Sequence, residues 1–171
     1  MVAVGEYLGM PVNFDGLDKE NVTFFRHCGS GQLHLQCCDD CGLKRYPPTT
    51  ACPFCASPAA TWEPVEGLGT LYSYAEVHHA IQPAFKAFTP YLLLLVELDE
   101  QRNLPDEFDG LRLQGNLVTP TGDMASPVQV ERVGIGMRLR VVYKDLGDGF
   151  ALPQWMIDED SAQPEVWRYP E

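Results

Sequence analysis

The chain has 171 residues, 45% of them apolar, enough for one medium domain or two small ones with a real core. Its formal charge of -12 and pI near 4.6 argue against a nucleic-acid groove and against docking on an anionic membrane, since both are driven by Lys and Arg. The N-terminal stretch lacks the basic start of a signal peptide, and the apolar run 92–96 is too short to cross a bilayer, so a cytoplasmic protein is expected.

Residues 1–17 have no clear period and are broken by Gly5, Gly9, Pro11 and Gly16. They read as an extended arm whose apolar side chains pack either on their own domain or on a partner. A short helix is predicted over 19–28. Asp18 is its N-cap, Leu17 and Val22 are placed for a hydrophobic staple, and Gly29 is its stop. Phe24, Phe25 and Cys28 give it more apolar surface than so short a helix needs for a small module.

The strongest chemical signal follows. Cys38-Asp39-Asp40-Cys41-Gly42 and, ten residues later, Cys52-Pro53-Phe54-Cys55 are two cysteine knuckles. A two-residue spacing lets a tight turn aim both sulfurs at one ion, and Gly42 supplies the positive φ such a turn needs. Cys37 would leave three residues before Cys41, so Cys38 is the better ligand. Cys37 and Cys28 are read as buried thiols, and Asp39 and Asp40 oppose a reactive thiolate at Cys37. Four thiolates suit zinc, with a rubredoxin-like iron site as the rival, and the closed set makes the metal structural. Strands are predicted at 33–37, 43–46 and 61–65, forming a ribbon of roughly 35 residues in which metal substitutes for a missing core.

After Gly67 and Gly69 the strands lengthen. In 70–79, Leu71, Ser73, Ala75 and Val77 alternate with Tyr72, Tyr74, Glu76 and His78. A loop is expected at 80–90. Strand 91–98 is apolar on both faces and is expected to be covered on both. Further strands are predicted at 111–117, 137–144 and 150–157, with loops at 99–110 and 119–134. Five strands of this kind suit a small closed barrel, an OB-fold first and an SH3-like barrel second. The expected division is an arm and helix at 1–30, a zinc ribbon at 31–66, a barrel at 67–157 and a tail at 158–171, whose Trp167 and Tyr169 are placed to dock. The fold class is therefore mainly β.

His27 and His34 have no ligand spacing to a second set and read as surface residues. His78 and His79 are adjacent on a strand and point to opposite faces, so they cannot act as a pair. Arg138, Arg140 and Lys144 form a basic stripe, whose ordinary explanation is pairing with acidic residues such as Glu76. The sequence has no nucleophile elbow, no glycine-rich phosphate loop and no zinc-protease helix.

Taken together, the helix with Arg26, Leu33-His34-Leu35-Gln36, the knuckles around Tyr46-Pro47-Pro48, Trp62 and Gly67-Leu68-Gly69-Thr70 form an ordered set. Pro90-Tyr91, Val96-Glu97-Leu98, Gly134-Ile135-Gly136-Met137 and Leu152-Pro153 continue it. This order resembles the DUF35 family over about residues 20–157. The resemblance implies an OB-fold with a rubredoxin-like zinc ribbon and a non-catalytic partner of thiolase-superfamily enzymes that act on acyl-CoA thioesters. It implies zinc at Cys38, Cys41, Cys52 and Cys55. It also suggests a CoA or acyl channel shared with the partner, lined here by His78, Phe85, Lys86 and Tyr91, with Arg138 and Arg140 toward the phosphates. Cys37, the arm 1–17, the loop 99–110 and the Trp167 tail depart from the family pattern. The competing functions are a single-stranded nucleic-acid module, which the charge opposes, and an iron redox protein.

Overall fold

The computed structural model describes residues 4–102, 104 and 110–169. Parts of the expected arm, loop 99–110 and tail thus lie outside the described residues. The arm begins with a hairpin, β1 (Val4–Tyr7) and β2 (Met10–Asn13), turned by Leu8 and Gly9, both at positive φ. It packs on its own barrel rather than standing free. A Cβ on Gly5 would fall 2.3 Å from the Leu146 carbonyl, and Phe14 stacks on Phe150 with centroids 4.0 Å apart. The Tyr7 hydroxyl accepts from the Asn116 and Gln154 side-chain amides, each at 3.2 Å.

Helix α1 (Lys19–Gly29) starts as expected, with the Asp18 carboxylate accepting from the Asn21 amide at 2.8 Å. Its aromatic surplus is absorbed inside the molecule. Phe24 and Cys28 are buried in the main core, Phe24 lies 5.4 Å from Tyr46, and Phe25 touches both apolar clusters. Gly29 proves necessary for close approach: a Cβ there would sit 2.1 Å from the Gly149 carbonyl. The helix is thus a wedge between the two β units.

The ribbon is a three-stranded antiparallel sheet in the order β4-β3-β5, from β3 (His34–Cys38), β4 (Lys44–Arg45) and β5 (Ala60–Pro64). The barrel uses β6 (Leu68–Val77), β7 (Tyr91–Leu98), β8 (Arg112–Asn116), β9 (Arg138–Gly147) and β10 (Phe150–Ile157), in the order β10-β9-β6-β7-β8. A parallel contact between Leu117 and Trp155 joins its two ends, giving the five-stranded OB arrangement. A short helix, α2 (Pro127–Arg132), lies between β8 and β9. Leu71, Leu92, Leu94, Val96, Leu98, Leu113, Leu139 and Trp155 fill the interior.

Two expectations about faces fail, both for reasons of sheet geometry. A bulge between Leu71 and Ser73 inserts one residue, so Leu71 faces the core opposite Val96 while Ser73, Ala75 and Val77 share the outer face with Leu95, Leu93 and Tyr91. Strand β7 is covered on one side only: Leu92, Leu94, Val96 and Leu98 are buried, whereas Tyr91, Leu93, Leu95 and Glu97 are half-buried. Its second apolar face is not a second core. The tail docks along its backbone, with Ile135 and Trp167 exchanging amide-to-carbonyl bonds of 2.7 and 3.0 Å.

Candidate metal centre

Two turns with the same hydrogen-bond pattern present the four thiols. In the first, the Cys38 amide donates to Leu43 O (3.0 Å) and the Gly42 amide to Cys38 O (2.8 Å). In the second, the Cys52 amide donates to Ser57 O (2.7 Å) and the Ala56 amide to Cys52 O (2.8 Å). Gly42 has φ of 72°, as its position predicts. Its counterpart Ala56 has φ of 64° without being glycine.

The sulfurs of Cys38, Cys41, Cys52 and Cys55 lie within 4.8 Å of one another, with Cys38 to Cys55 at 3.5 Å and Cys41 to Cys52 at 3.7 Å. An ion with bonds of about 2.3 Å at the centre of a sulfur tetrahedron needs edges of about 3.8 Å, so the residues fit such a group. The amides of Cys41 and Asp40 draw the Cys38 thiol down to about 6. The Ser57 amide pulls Cys55 the same way, yet hydrogen bonding to the Cys38 sulfur and lost hydration push it up to about 12.

Cys37 is not part of this group. It follows the other face of β3, where its thiol donates to Gly42 O at 3.4 Å, and burial and Glu63 push its pKa up. Cys28, on the buried face of α1, is pushed up to about 12 by lost hydration, so neither thiol is set up as a nucleophile.

One support of the centre escapes sequence reading. Arg45, only 3% exposed, donates from Nε to Gln36 Oε1 (3.1 Å) and from Nη2 to Thr49 O (3.1 Å), while the Thr49 amide donates to the same Gln36 oxygen (2.8 Å). This clamp ties the sheet bearing the first knuckle to the Pro47–Ala51 link leading to the second. Nothing local distinguishes Arg45 from Lys44; only the register does.

The residues expected around an acyl-CoA channel fall in three places. His78 lies beside Glu76 (3.5 Å) on a cleft of about 980 Å³, with Tyr74, Ile135, Trp167 and Tyr169 among its walls. Phe85 and Lys86 belong to a 3-10 turn, Pro83–Phe88, where the Phe85 ring is 5.2 Å from Tyr91 and 5.9 Å from Tyr7. Arg138 is engaged by Asp99 and Thr70, and Arg140 by Asp158 (2.9 Å) and Asp160 (3.2 Å). Lys144 pairs with Asp123 at 2.9 Å. Pairing of the basic stripe is therefore real, but its partners are these aspartates and not Glu76. His27 and His34 also depart from expectation: their rings stack at 4.0 Å, half-buried, with Trp62 5.3 Å from His27.

Comparison with known proteins agrees with this architecture. The family model for the C-terminal OB-fold domain of ChsH2 matches residues 62–144. A chain of the solved Ltp2-ChsH2(DUF35) aldolase is 30% identical with a TM-score of 0.65, covering 83% of this chain and 97% of that one. A DUF35 protein of unknown function from Sulfolobus solfataricus shares the fold at 12% identity and a TM-score of 0.51, covering 85% and 90%. A Thermomonospora curvata protein called a probable enoyl-CoA hydratase alpha subunit is 32% identical over 139 residues, 80% of this chain. The chain spans 37% of that relative's length. The resemblance carried by the motifs is thus kinship: the chain belongs to the DUF35 family, alongside the C-terminal OB-fold domain of ChsH2.

Proposed function

We propose that the chain is a non-catalytic accessory subunit of a thiolase-superfamily enzyme acting on acyl-CoA thioesters, in the reducing cytoplasm, with a structural zinc ion held by Cys38, Cys41, Cys52 and Cys55. The observation that carries the reading is the match to the DUF35 chain of an aldolase named for both Ltp2 and ChsH2, over 97% of that chain. The relative called a probable enoyl-CoA hydratase subunit supports CoA thioesters as the substrate class. Zinc, when bound, supplies a closed cross-link with no open position for substrate. The chain's own residues do the rest: the Gln36–Arg45–Thr49 clamp orders the knuckles, and α1 fixes the ribbon against the barrel.

On the acyl-CoA side, the segment 83–91 supports the reading best, because Lys86 is exposed beside Phe85 and Tyr91. Arg138 and Arg140 could meet CoA phosphates only by leaving Asp99 and Asp158, so their part in the proposal is smaller.

Co-expression with a thiolase-like protein of the same organism tests the assignment. The expected result is one co-eluting complex whose activity falls when this chain is omitted. Separate elution, with full activity in the large subunit alone, overturns it. Within the complex, Lys86→Ala should raise KM for the CoA thioester, and an unchanged KM removes the channel part. Metal analysis decides between zinc and iron: a zinc protein is colourless and a four-sulfur iron site is red.

A further inference from the structure

Strand β6 uses both of its edges only along its first half. Its pairing with β9 covers Leu68–Thr70. One further rung follows, in which the Leu71 amide donates to Met137 O (2.8 Å) and Leu71 O accepts from the Gly136 amide (2.9 Å). The bulge at Tyr72 then redirects the strand. From Ser73 to Val77, β6 pairs with β7 on one side, and among the described residues no strand pairs with it on the other. A sheet edge left open in this way is a template for an added strand.

The 980 Å³ cleft runs along that edge. Tyr74 and Glu76, from the inner face of β6, and Ser73, just past the bulge, line it, so it opens beside the unpaired stretch of the strand. Its opposite wall is the extended tail, held by the Ile135–Trp167 bridge and by the Tyr169 amide, which donates to the Tyr74 hydroxyl at 3.3 Å. The tail leaves Trp167 53% and Tyr169 76% exposed, their rings edge to face at 5.9 Å. Glu76 and Glu131 add two carboxylates. Of the two basic side chains in the lining, Arg168 is turned onto Val130 O (3.5 Å) and the His78 ring lies 3.5 Å from Glu76. Exposed aromatic rings and two carboxylates lining one cleft, on a chain of charge -12, are complementary to a cation.

We propose that this cleft is a docking groove for an extended, arginine- or lysine-bearing segment of a protein partner. The segment adds to β6 along Ser73–Val77 by main-chain hydrogen bonds and lays its cations on Trp167, Tyr169, Glu76 and Glu131. The groove is independent of the metal centre and does not require the partner to be thiolase-like.

The test titrates the metal-loaded, ¹⁵N-labelled full chain with the end-blocked peptide Val-Arg-Val-Arg-Val and follows amide and indole shifts. Shifts should concentrate on residues 73–77 and on Trp167. The acidic peptide Val-Glu-Val-Glu-Val should bind about tenfold more weakly or worse. A backbone N-methylated Arg peptide, which keeps the cations but loses the strand bonds, should also fall away. Glu76→Gln combined with Glu131→Gln should weaken the Arg peptide about fivefold. Any one of three results overturns the proposal: shifts absent at millimolar peptide or mapped elsewhere, equal binding of the acidic peptide, or equal binding of the N-methylated one. Concentration-dependent shifts of the same amides without peptide would assign the groove to a second copy of this chain and overturn it as well.

Discussion

The ribbon and the barrel share one apolar core but are shaped by different forces. Barrel strands bring their own interior: Leu92, Leu94, Leu98, Leu113, Leu139 and Trp155 are almost wholly buried, each contributing about 1.5–3 kcal/mol of transfer free energy. In the ribbon, β4 has two residues, and no residue of β5 is fully buried. Its inward apolar residues, Leu33 and Leu35, belong to the core shared with α1 and the barrel. The difference teaches where shape comes from. Apolar packing positions the ribbon, while the four thiols give it its internal form. Removing the metal should therefore have the largest and most local effect. Apparent binding free energies at such sites are on the order of 10 kcal/mol. Chelation or Cys52→Ser should melt residues 36–60 in amide exchange while the barrel stays protected. Loss of barrel protection at the same chelator concentration would break the comparison and make the molecule one cooperative unit.

The reciprocal experiment empties the barrel. Trp155 is fully buried, and its Nε1 donates to Leu113 O at 3.2 Å. Trp155→Ala should cost about 3–5 kcal/mol in urea unfolding through the cavity and the lost indole hydrogen bond. Metal affinity of the folded variant, measured by competition with a chromophoric chelator, should stay within about twofold of wild type if the two regions are separately built. A large change in affinity would show that the barrel strains or relaxes the knuckles.

How much of this was legible in the sequence follows the same division. The knuckles were readable because their information is local: two residues between sulfurs, a glycine after Cys41, and a spacing that prefers Cys38 to its neighbour Cys37. Asp18 at the N-cap was readable for the same reason. Strand β9 was readable from Leu139 and Val141 alternating with Arg138 and Arg140. The inserted residue at Tyr72 was not, because a bulge changes the parity of every later side chain without altering composition. Nor were the partners of the basic stripe. Arg138 meets Asp99, 39 residues away, and the clamp joins Gln36, Arg45 and Thr49 through sheet register. The stacking of His27 on His34 depends on the turn between α1 and β3, which spacing alone does not describe.

A smaller effect separates the regions by their response to acid. With a metal on the four sulfurs, protons would compete for the thiolates, so the ribbon should loosen as pH falls. The barrel has its own sensitive group in Asp158, whose side chain is 2% exposed against Arg140. Lost hydration works to raise its pKa, but the Ser161 hydroxyl and the Arg140 guanidinium outweigh that, and the carboxyl stands below its usual range. A depressed folded pKa means stabilisation that is complete above the unfolded value, about 4, and is lost as pH falls through the folded one. Because Arg140 is itself 43% exposed, Asp158→Asn should cost only about 1 kcal/mol near neutral pH. The gap between wild type and variant should narrow as pH falls below about 4 and close once it has passed the lower, folded value. A constant gap across that range would mean that the carboxylate's charge does not stabilise the fold.

The smallest effect lies inside the ribbon, between its two turns. They make the same hydrogen bonds, yet one carries Gly42 and the other Ala56 at positive φ. A Cβ on Gly42 would meet nothing within 4 Å, so Gly42→Ala sets the backbone cost of a left-handed L-residue, about 1 kcal/mol, against the roughly 0.4–1 kcal/mol that alanine saves in the unfolded chain, a net loss of at most a few tenths. Ala56 already bears that cost. Ala56→Gly relieves it but raises the entropy of the unfolded chain by about 0.4–1 kcal/mol, leaving a gain of at most a few tenths. The two substitutions should thus shift the metal-linked unfolding midpoint in opposite directions by similar small amounts. Equal losses from both would show that the second turn needs the Ala56 methyl, and that the knuckles, alike in their hydrogen bonds, are held by different contacts.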